Sequence, residues 1–233
     1  MDRRKFTKDV TKFISTGIVV STGSFISACD DGEDVLPEGT LSLLIEEEPD
    51  LVVGENFAIK WNSNGIGKID LAYKIDQAAN YLTFQREYDA SVGQFDFEVP
   101  ENINGSTLTF RISDSASGNV LAEGSPLTLI FKWPITLSQT QALDNVGGFV
   151  KITEVNNPFI VRKTGADTFL ALSLVCTHQG CVVGVEDNGA LRCPCHGSTF
   201  TDAGAVTQGP AERPLSSFRI EKIDADNIVV YYS

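Results

Sequence analysis

Cys176-Thr177-His178-Gln179-Gly180-Cys181 and Cys193-Pro194-Cys195-His196-Gly197-Ser198-Thr199-Phe200 are the two stretches on which the reading of this chain turns. Four of the five cysteines fall between 176 and 195, and both histidines, His178 and His196, lie in the same short region. Histidines that merely pack would be scattered over the 233 residues. Crowded thiols and imidazoles instead mark residues 176–196 as a metal site. Each stretch reads as a loop between strand-like flanks. A Cys-x-His pair and a Cys-x-x-His pair, brought together by two adjacent hairpins, can hold one metal group from both sides. Gly180, Gly184 and Gly197 supply the backbone freedom that such tight loops need. Zinc also accepts two thiolates and two imidazoles, but Cys-x-His is an unusual zinc spacing, and Cys181 and Cys195 would then have no role.

These residues resemble the Rieske family, whose pattern is C-x-H-x-G-C followed by C-P-C-H-G-S. The resemblance covers the C-terminal part, residues 132–233, and implies an antiparallel β domain with one [2Fe–2S] cluster per subunit. Carried over position by position, it makes Cys176 and Cys193 the ligands of one iron and His178 and His196 those of the other. Neutral imidazoles in place of two thiolates leave less negative charge on the cluster, and potentials in the class run from roughly −150 to +300 mV. Cys181 and Cys195 match the family's further cysteines, which form a disulfide. Rieske proteins of cytochrome bc complexes and of arsenite oxidase have that bridge; ring-hydroxylating oxygenases and their ferredoxins generally lack it. Ser198 matches the serine that hydrogen-bonds a bridging sulfide. Phe200 stands where high-potential members have a tyrosine that donates to a ligand sulfur, so one bond is missing and a lower potential is implied. Gly209-Pro210-Ala211, with Pro214 beyond, resembles the proline loop over the cluster's other side, here with Glu212 and Arg213 inserted. Gln179 replaces the apolar residue of cytochrome bc members at the docking surface, which points away from quinol as direct donor.

Upstream, residues 40–131 read as a β-sandwich. Short alternating strands are expected at Leu41–Ile45, Phe57–Trp61, Ile69–Ile75, Tyr81–Gln85, Gln94–Val99, Leu108–Ile112 and Leu127–Phe131, separated by turn segments such as Asn62-Ser63-Asn64-Gly65. The run Val53-Gly54-Glu55-Asn56-Phe57-Ala58-Ile59-Lys60-Trp61, followed by Ile69-Asp70-Leu71-Ala72-Tyr73, is similar to Ig-like or fibronectin-like modules of secreted bacterial proteins. That similarity implies a spacer or docking module. Phe131-Lys132-Trp133-Pro134 marks the boundary, with Pro134 expected to end the last sandwich strand. Beyond it, strands are expected at Val150–Ile152, Phe159–Arg162, Thr168–Leu174, Leu215–Ile220 and Ile228–Tyr232. The fold class is therefore all-β throughout.

The N-terminus reads as a targeting segment over residues 1–28. Arg3, Arg4, Lys5, Lys8 and Lys12 precede an uncharged stretch from Phe13 to Ala28, which is shorter and more polar than the roughly 20 apolar residues of a spanning helix. Asp2-Arg3-Arg4-Lys5-Phe6 resembles a twin-arginine export signal. Ile26-Ser27-Ala28-Cys29 resembles a lipobox, in which Cys29 would be lipidated. An acidic tether, residues 29–39, follows. These features place the protein in the envelope of a bacterium, on a periplasmic or outer-surface face, tethered to a membrane through Cys29. An oxidising compartment also suits a disulfide.

Charge excludes further classes. Formal net charge is −13, and without residues 1–28 there remain 13 basic against 29 acidic residues, so phosphate backbones are repelled and nucleic acid is not a partner. A self-contained oxygenase would need a mononuclear iron held by two histidines and a carboxylate, yet no histidine remains outside the two loops. The expected function is one-electron transfer without a catalytic site of its own, as a carrier or as a subunit of a respiratory oxidoreductase complex. Its partners would be a redox donor and acceptor, such as quinol or a c-type cytochrome. A quinol-oxidising cytochrome bc-type complex or an oxygenase electron-transfer component is the alternative, and a binding role for the sandwich is a third.

Overall fold

The computed structural model describes residues 36–44, 50–187 and 189–233. The signal-like segment 1–28, Cys29 and residues 30–35 of the acidic tether lie outside them. In chain order the described strands are β1 (Thr40–Leu44), β2 (Leu51–Val52), β3 (Asn56–Asn64), β4 (Lys68–Ile75), β5 (Leu82–Asp89), β6 (Gln94–Glu98), β7 (Thr107–Asp114), β8 (Val120–Glu123) and β9 (Leu127–Thr136). They continue as β10 (Phe149–Ile152), β11 (Phe159–Lys163), β12 (Phe169–Ser173), β13 (Gly184–Val185), β14 (Leu191–Arg192), β15 (Thr199–Phe200), β16 (Val206–Gln208), β17 (Ser217–Lys222) and β18 (Asn227–Tyr232). Helical structure among the described residues is confined to three short 3-10 turns.

Two compact units emerge, each with its own reason to fold. In the first, strands β1-β3-β6 form one sheet, and β5-β4-β7-β8 lie side by side as a second. Alternation drives both: on β3 Ile59 and Trp61 are buried while Lys60 and Asn62 are exposed. The sheets meet through rings, with Phe97 of β6 at 5.1 Å from Phe110 of β7 and 5.5 Å from Tyr73 of β4. Trp61, 2% exposed, donates from Nε1 to the carbonyl of Ala90 at 2.8 Å, so its one polar atom is satisfied inside the core.

The second unit gathers Leu127–Ser233 with two earlier segments, Asp50–Asn56 and Glu98–Thr107. Those segments are stitched on by backbone bonds from Val53 N–H to the Ile130 carbonyl (2.8 Å) and from Leu129 N–H to the Ser106 carbonyl (2.9 Å). Here the sequence reading needs correction at Pro134. It does not end a strand; β9 continues to Thr136, and Pro134 pairs opposite Val229 of β18. Successive strand residues aim their N–H groups at opposite edges, and a proline whose nitrogen faces away from its partner forfeits no ladder bond.

Strands β10-β11-β12-β17-β18-β9 form the large antiparallel sheet of this unit. Trp133 of β9 lies 6.5 Å from Phe159 of β11, although four strand steps separate them. A flat sheet would hold them roughly 19 Å apart, so this one is rolled around Phe159, Val161, Ile228 and Val230. Its other face carries Ile160 and Leu172, which pack against Val183, just before β13, and against Leu191 and Phe200 of the smaller sheet β13-β14-β15-β16. Burial on both faces explains why β11 reads as the continuous apolar run Phe159-Ile160-Val161 rather than alternating.

Trp61→Ala should cost about 3–5 kcal/mol, the range for emptying a large aromatic site in a packed core. Denaturant unfolding followed by circular dichroism checks this; an unchanged midpoint would mean that Trp61 does not hold the first unit together.

Candidate metal centre

The small sheet is built from strands of two or three residues, so its loops make up most of it. The chain direction sorts them. Turns 186–190 and 201–205 fall at one end, and the loops holding residues 176–181, 193–198 and 209–214 fall at the other. Thus β-pairing alone brings the two cysteine–histidine stretches and the proline segment to one edge.

The first two loops close in the same way. Gly180 N–H donates to the Cys176 carbonyl at 2.8 Å, and Gly197 N–H donates to that of Cys193 at 3.0 Å. Both glycines are left-handed, at φ +75° and +80°, the conformation that side-chain-bearing residues avoid. Gly184 is different: it sits extended in β13, where a Cβ would come 3.2 Å from the Arg192 carbonyl, so closeness and not backbone freedom favours glycine there. Loop bases are fixed by Cys176 N–H to the Cys181 carbonyl and Cys193 N–H to the Ser198 carbonyl, each 2.8 Å.

Four of the expected side chains form two close pairs, thiol with thiol and imidazole with imidazole. Cys176 and Cys193 are free thiols, 2% and 1% exposed, rooted in the apolar layer between the two sheets. Burial pushes the Cys176 thiol up, the neighbouring Cys193 thiol adds to this, and the N–H groups of His178 and Gln179 aimed at the sulfur act the other way. The rings of His178 and His196 stand edge to face with centroids 4.8 Å apart. His178 Nδ1 is buried and has no hydrogen-bond partner among the described residues. An orphaned imidazole nitrogen beside a second imidazole and two buried thiols is what a bound metal group would satisfy. The donor set fits the iron–sulfur group that the sequence implies.

Cys181 and Cys195 are joined by a disulfide spanning a sequence separation of 14, which ties the first loop to the second. The sulfurs of Cys181, Cys193 and Cys195 lie within 4.8 Å of one another. Two of them are consumed in the bridge, so that trio offers a metal only the Cys193 thiol. Ser198, fully buried, accepts at Oγ from Ala211 N–H at 2.9 Å and so holds the proline segment against the second loop. Thr177 Oγ1 donates to the Arg213 carbonyl at 2.6 Å and does the same for the first. Sequence reasoning did not single out Thr177; its place between Cys176 and His178 was the available signal. Phe200 is buried in the same apolar layer, while Gly209 and Pro210, joined by a cis peptide, are exposed.

An all-β domain with paired thiols and imidazoles on two disulfide-tied loops is, by fold and donor set, a metal-binding domain. Comparison with known proteins makes the class specific. Residues 134–219 match the family model of the Rieske [2Fe–2S] domain. The cytochrome b6-f complex iron–sulfur subunit of Chlorobaculum tepidum is 33% identical over 90 residues, covering 38% of this chain and 49% of that protein. The corresponding subunit of Gloeobacter violaceus is 39% identical over 79 residues, 33% of this chain and 39% of that protein. A crystal structure of the plasma membrane Rieske protein of Synechocystis PCC 6803 aligns over 41% of this chain and 93% of its own at 33% identity and a TM-score of 0.34. The chain spans about half or less of the length of these curated relatives. Its C-terminal part is a Rieske [2Fe–2S] domain, homologous to Rieske subunits of cytochrome b6-f complexes, and its cofactor is a [2Fe–2S] cluster.

Removing the bridge with Cys181→Ser and Cys195→Ser together should destabilise the protein by about 2–4 kcal/mol, the usual worth of a cross-link closing a loop of this size. Non-reducing denaturant titration of the metal-free protein measures it. An unchanged midpoint would show that the two loops keep their places without the bond.

Proposed function

We propose that this chain is an exported, membrane-tethered Rieske protein that passes one electron at a time between a redox donor and a redox acceptor. The observation that carries the reading is the pair of imidazoles 4.8 Å apart beside two buried thiols. On this reading Cys176 and Cys193 hold one iron, and His178 and His196 hold the other. When bound, the cluster supplies a one-electron couple whose potential lies above that of all-cysteine plant-type centres. The chain's own residues do the rest. Cys176 and Cys193 face the apolar layer and keep water from the sulfur side. His178 coordinates through its buried Nδ1, which leaves Nε2 to carry a proton outward. His196 is exposed, so its imidazole is the point where an electron and a proton meet a partner.

The remainder of the proposal follows from sequence. Cys29 carries the lipid, residues 29–39 form the tether, and the protein faces an oxidising envelope compartment, in keeping with the Cys181–Cys195 bridge. Residues 40–131, less the segments 50–56, 98–107 and 127–131 that belong to the second unit, serve as an Ig-like or fibronectin-like spacer or docking module, a role supported by sheets of three and four strands around an aromatic core. Among the described residues no helix is long and apolar enough to cross a membrane. Gln179, exposed on the first loop, and Phe200, unable to donate to a sulfur, favour a stand-alone carrier. The second reading, a subunit of a quinol-oxidising complex, is favoured by the named role of the b6-f relatives.

Elemental analysis with a pH-dependent redox titration followed by EPR tests the proposal. Iron and acid-labile sulfide in equal amounts, with a midpoint that falls as pH rises, are expected. One zinc and no sulfide would refute it. A midpoint at the high end of the class would favour quinol oxidation, and a low one a carrier. Phe200→Tyr should raise the midpoint by adding a hydrogen bond to a ligand sulfur; an unshifted value would show that the ring does not face one.

A further inference from the structure

One charged residue interrupts the apolar layer between the two sheets of the second unit. Arg162, on β11, has a side chain 7% exposed and stands on the same face as Ile160, toward the small sheet. A buried guanidinium needs a reason, because removing its charge from water is costly unless it is paired and hydrogen-bonded. Its polar partners both concern the small sheet. Nη2 donates to the Gly189 carbonyl at 2.8 Å, and Asp202 stands 3.8 Å away with its carboxylate mostly in solvent. The plane lies 5.1 Å from the Phe149 ring, and Nε has no partner among the described residues.

The two polar contacts, at Gly189 and Asp202, fall in the β13–β14 and β15–β16 turns, which sit at the end of the small sheet away from the metal loops. The turns are built for close approach. A Cβ on Gly189, itself at φ +82°, would meet Arg162 Nη1 at 2.7 Å, and one on Gly204 would meet Leu172 of β12 at 3.1 Å. Only β14, two residues long, lies between the first turn and Cys193. Gly189 and Cys193 are therefore within about 14 Å along an extended chain. Displacing the turn displaces the cysteine.

We propose that Arg162 is a positioning residue for the metal centre: from the large sheet it grips the distal turns, and through strands β14 and β15 it sets where the 193–198 loop presents Cys193 and His196. This rests on the reading of those two residues as ligands. A lysine at 162 keeps the charge but has no planar fork with which to hold the Gly189 carbonyl while stacking near Phe149.

The test uses the full chain with Arg162→Lys and Arg162→Gln. Hydrogen–deuterium exchange is measured with and without iron, and EPR g-values after loading. Iron and sulfide in the unsubstituted protein come first; their absence would refute the Rieske function and this inference with it, whereas their presence leaves the variants to decide the inference alone. Both variants should exchange about ten-fold faster or more at residues 186–190, the effect of losing a hydrogen bond to a charged group, and their loaded forms should show shifted g-values. Wild-type exchange and g-values in Arg162→Lys would overturn the proposal, because the charge alone would then suffice. Faster exchange with wild-type g-values in both would also overturn it, leaving Arg162 a local lock. Should neither variant fold, Gly189→Ala decides with Arg162 in place: shifted g-values support the proposal, and unshifted ones refute it.

Discussion

Two loops must hold two thiols and two imidazoles together in a small sheet whose strands are only two or three residues long. Ladders this short are not stable by themselves, and everything around the centre answers that deficit. Cys176 and Cys193 root the loops in an apolar layer with Ile160, Leu172, Val183 and Leu191. The Cys181–Cys195 bridge ties the loops on their outer side. Ser198 and Thr177 then draw the proline segment against them with one hydrogen bond each. Apolar burial supplies most of the free energy, and the polar contacts supply register.

The large sheet makes this possible because it is buried on both faces. It is rolled around Phe159, Val161 and Ile228, which leaves Ile160 and Leu172 on its other side as a platform for the metal loops. Alternation along β11 and β12 thus assigns one set of side chains to folding and the other to holding the site. Packed interiors resist small displacements, so loops seated on such a platform inherit its precision. That matters for a redox centre, whose potential depends on the hydrogen bonds and charges around the ligand sulfurs.

Much of this was readable in the sequence. Alternating runs located β4 to within a residue and β3 and β7 with C-terminal ends three and two residues short, since their inner faces are Ile59 and Trp61, Ile69 and Leu71, and Leu108, Phe110 and Ile112. The two Cys–His stretches gave the bridge by motif, and they placed the paired thiols and imidazoles on facing loops. What escaped was non-local. Leu51–Val52 joins the second unit by parallel pairing with Leu129 and Ile130, which no local pattern announces. Pro134 reads as a boundary because its missing N–H is visible in sequence, while the direction in which that N–H would point is not. Strands β13 to β16 are too short for any periodicity to register. Arg162 did leave a trace, as a charge closing an otherwise apolar run, but its partners Gly189 and Asp202 are far along the chain.

The contrast between Phe200 and Ser198 shows how the same frame leaves room for tuning. Both are buried on or beside β15, one as a ring packed among aliphatic residues, the other as a hydroxyl whose oxygen already accepts from Ala211 N–H. A serine hydroxyl has one donor as well as its acceptors, so Ser198 can hold the proline segment and still give its proton to an acceptor in the site. Phe200 has nothing to give. A para hydroxyl on the buried ring at 200 would need an acceptor, and a single donor to a buried sulfur counts for more in a low-dielectric site than in water. Substitution at such positions can therefore move a potential without disturbing the fold that sets it, and the frame and the tuning can vary independently.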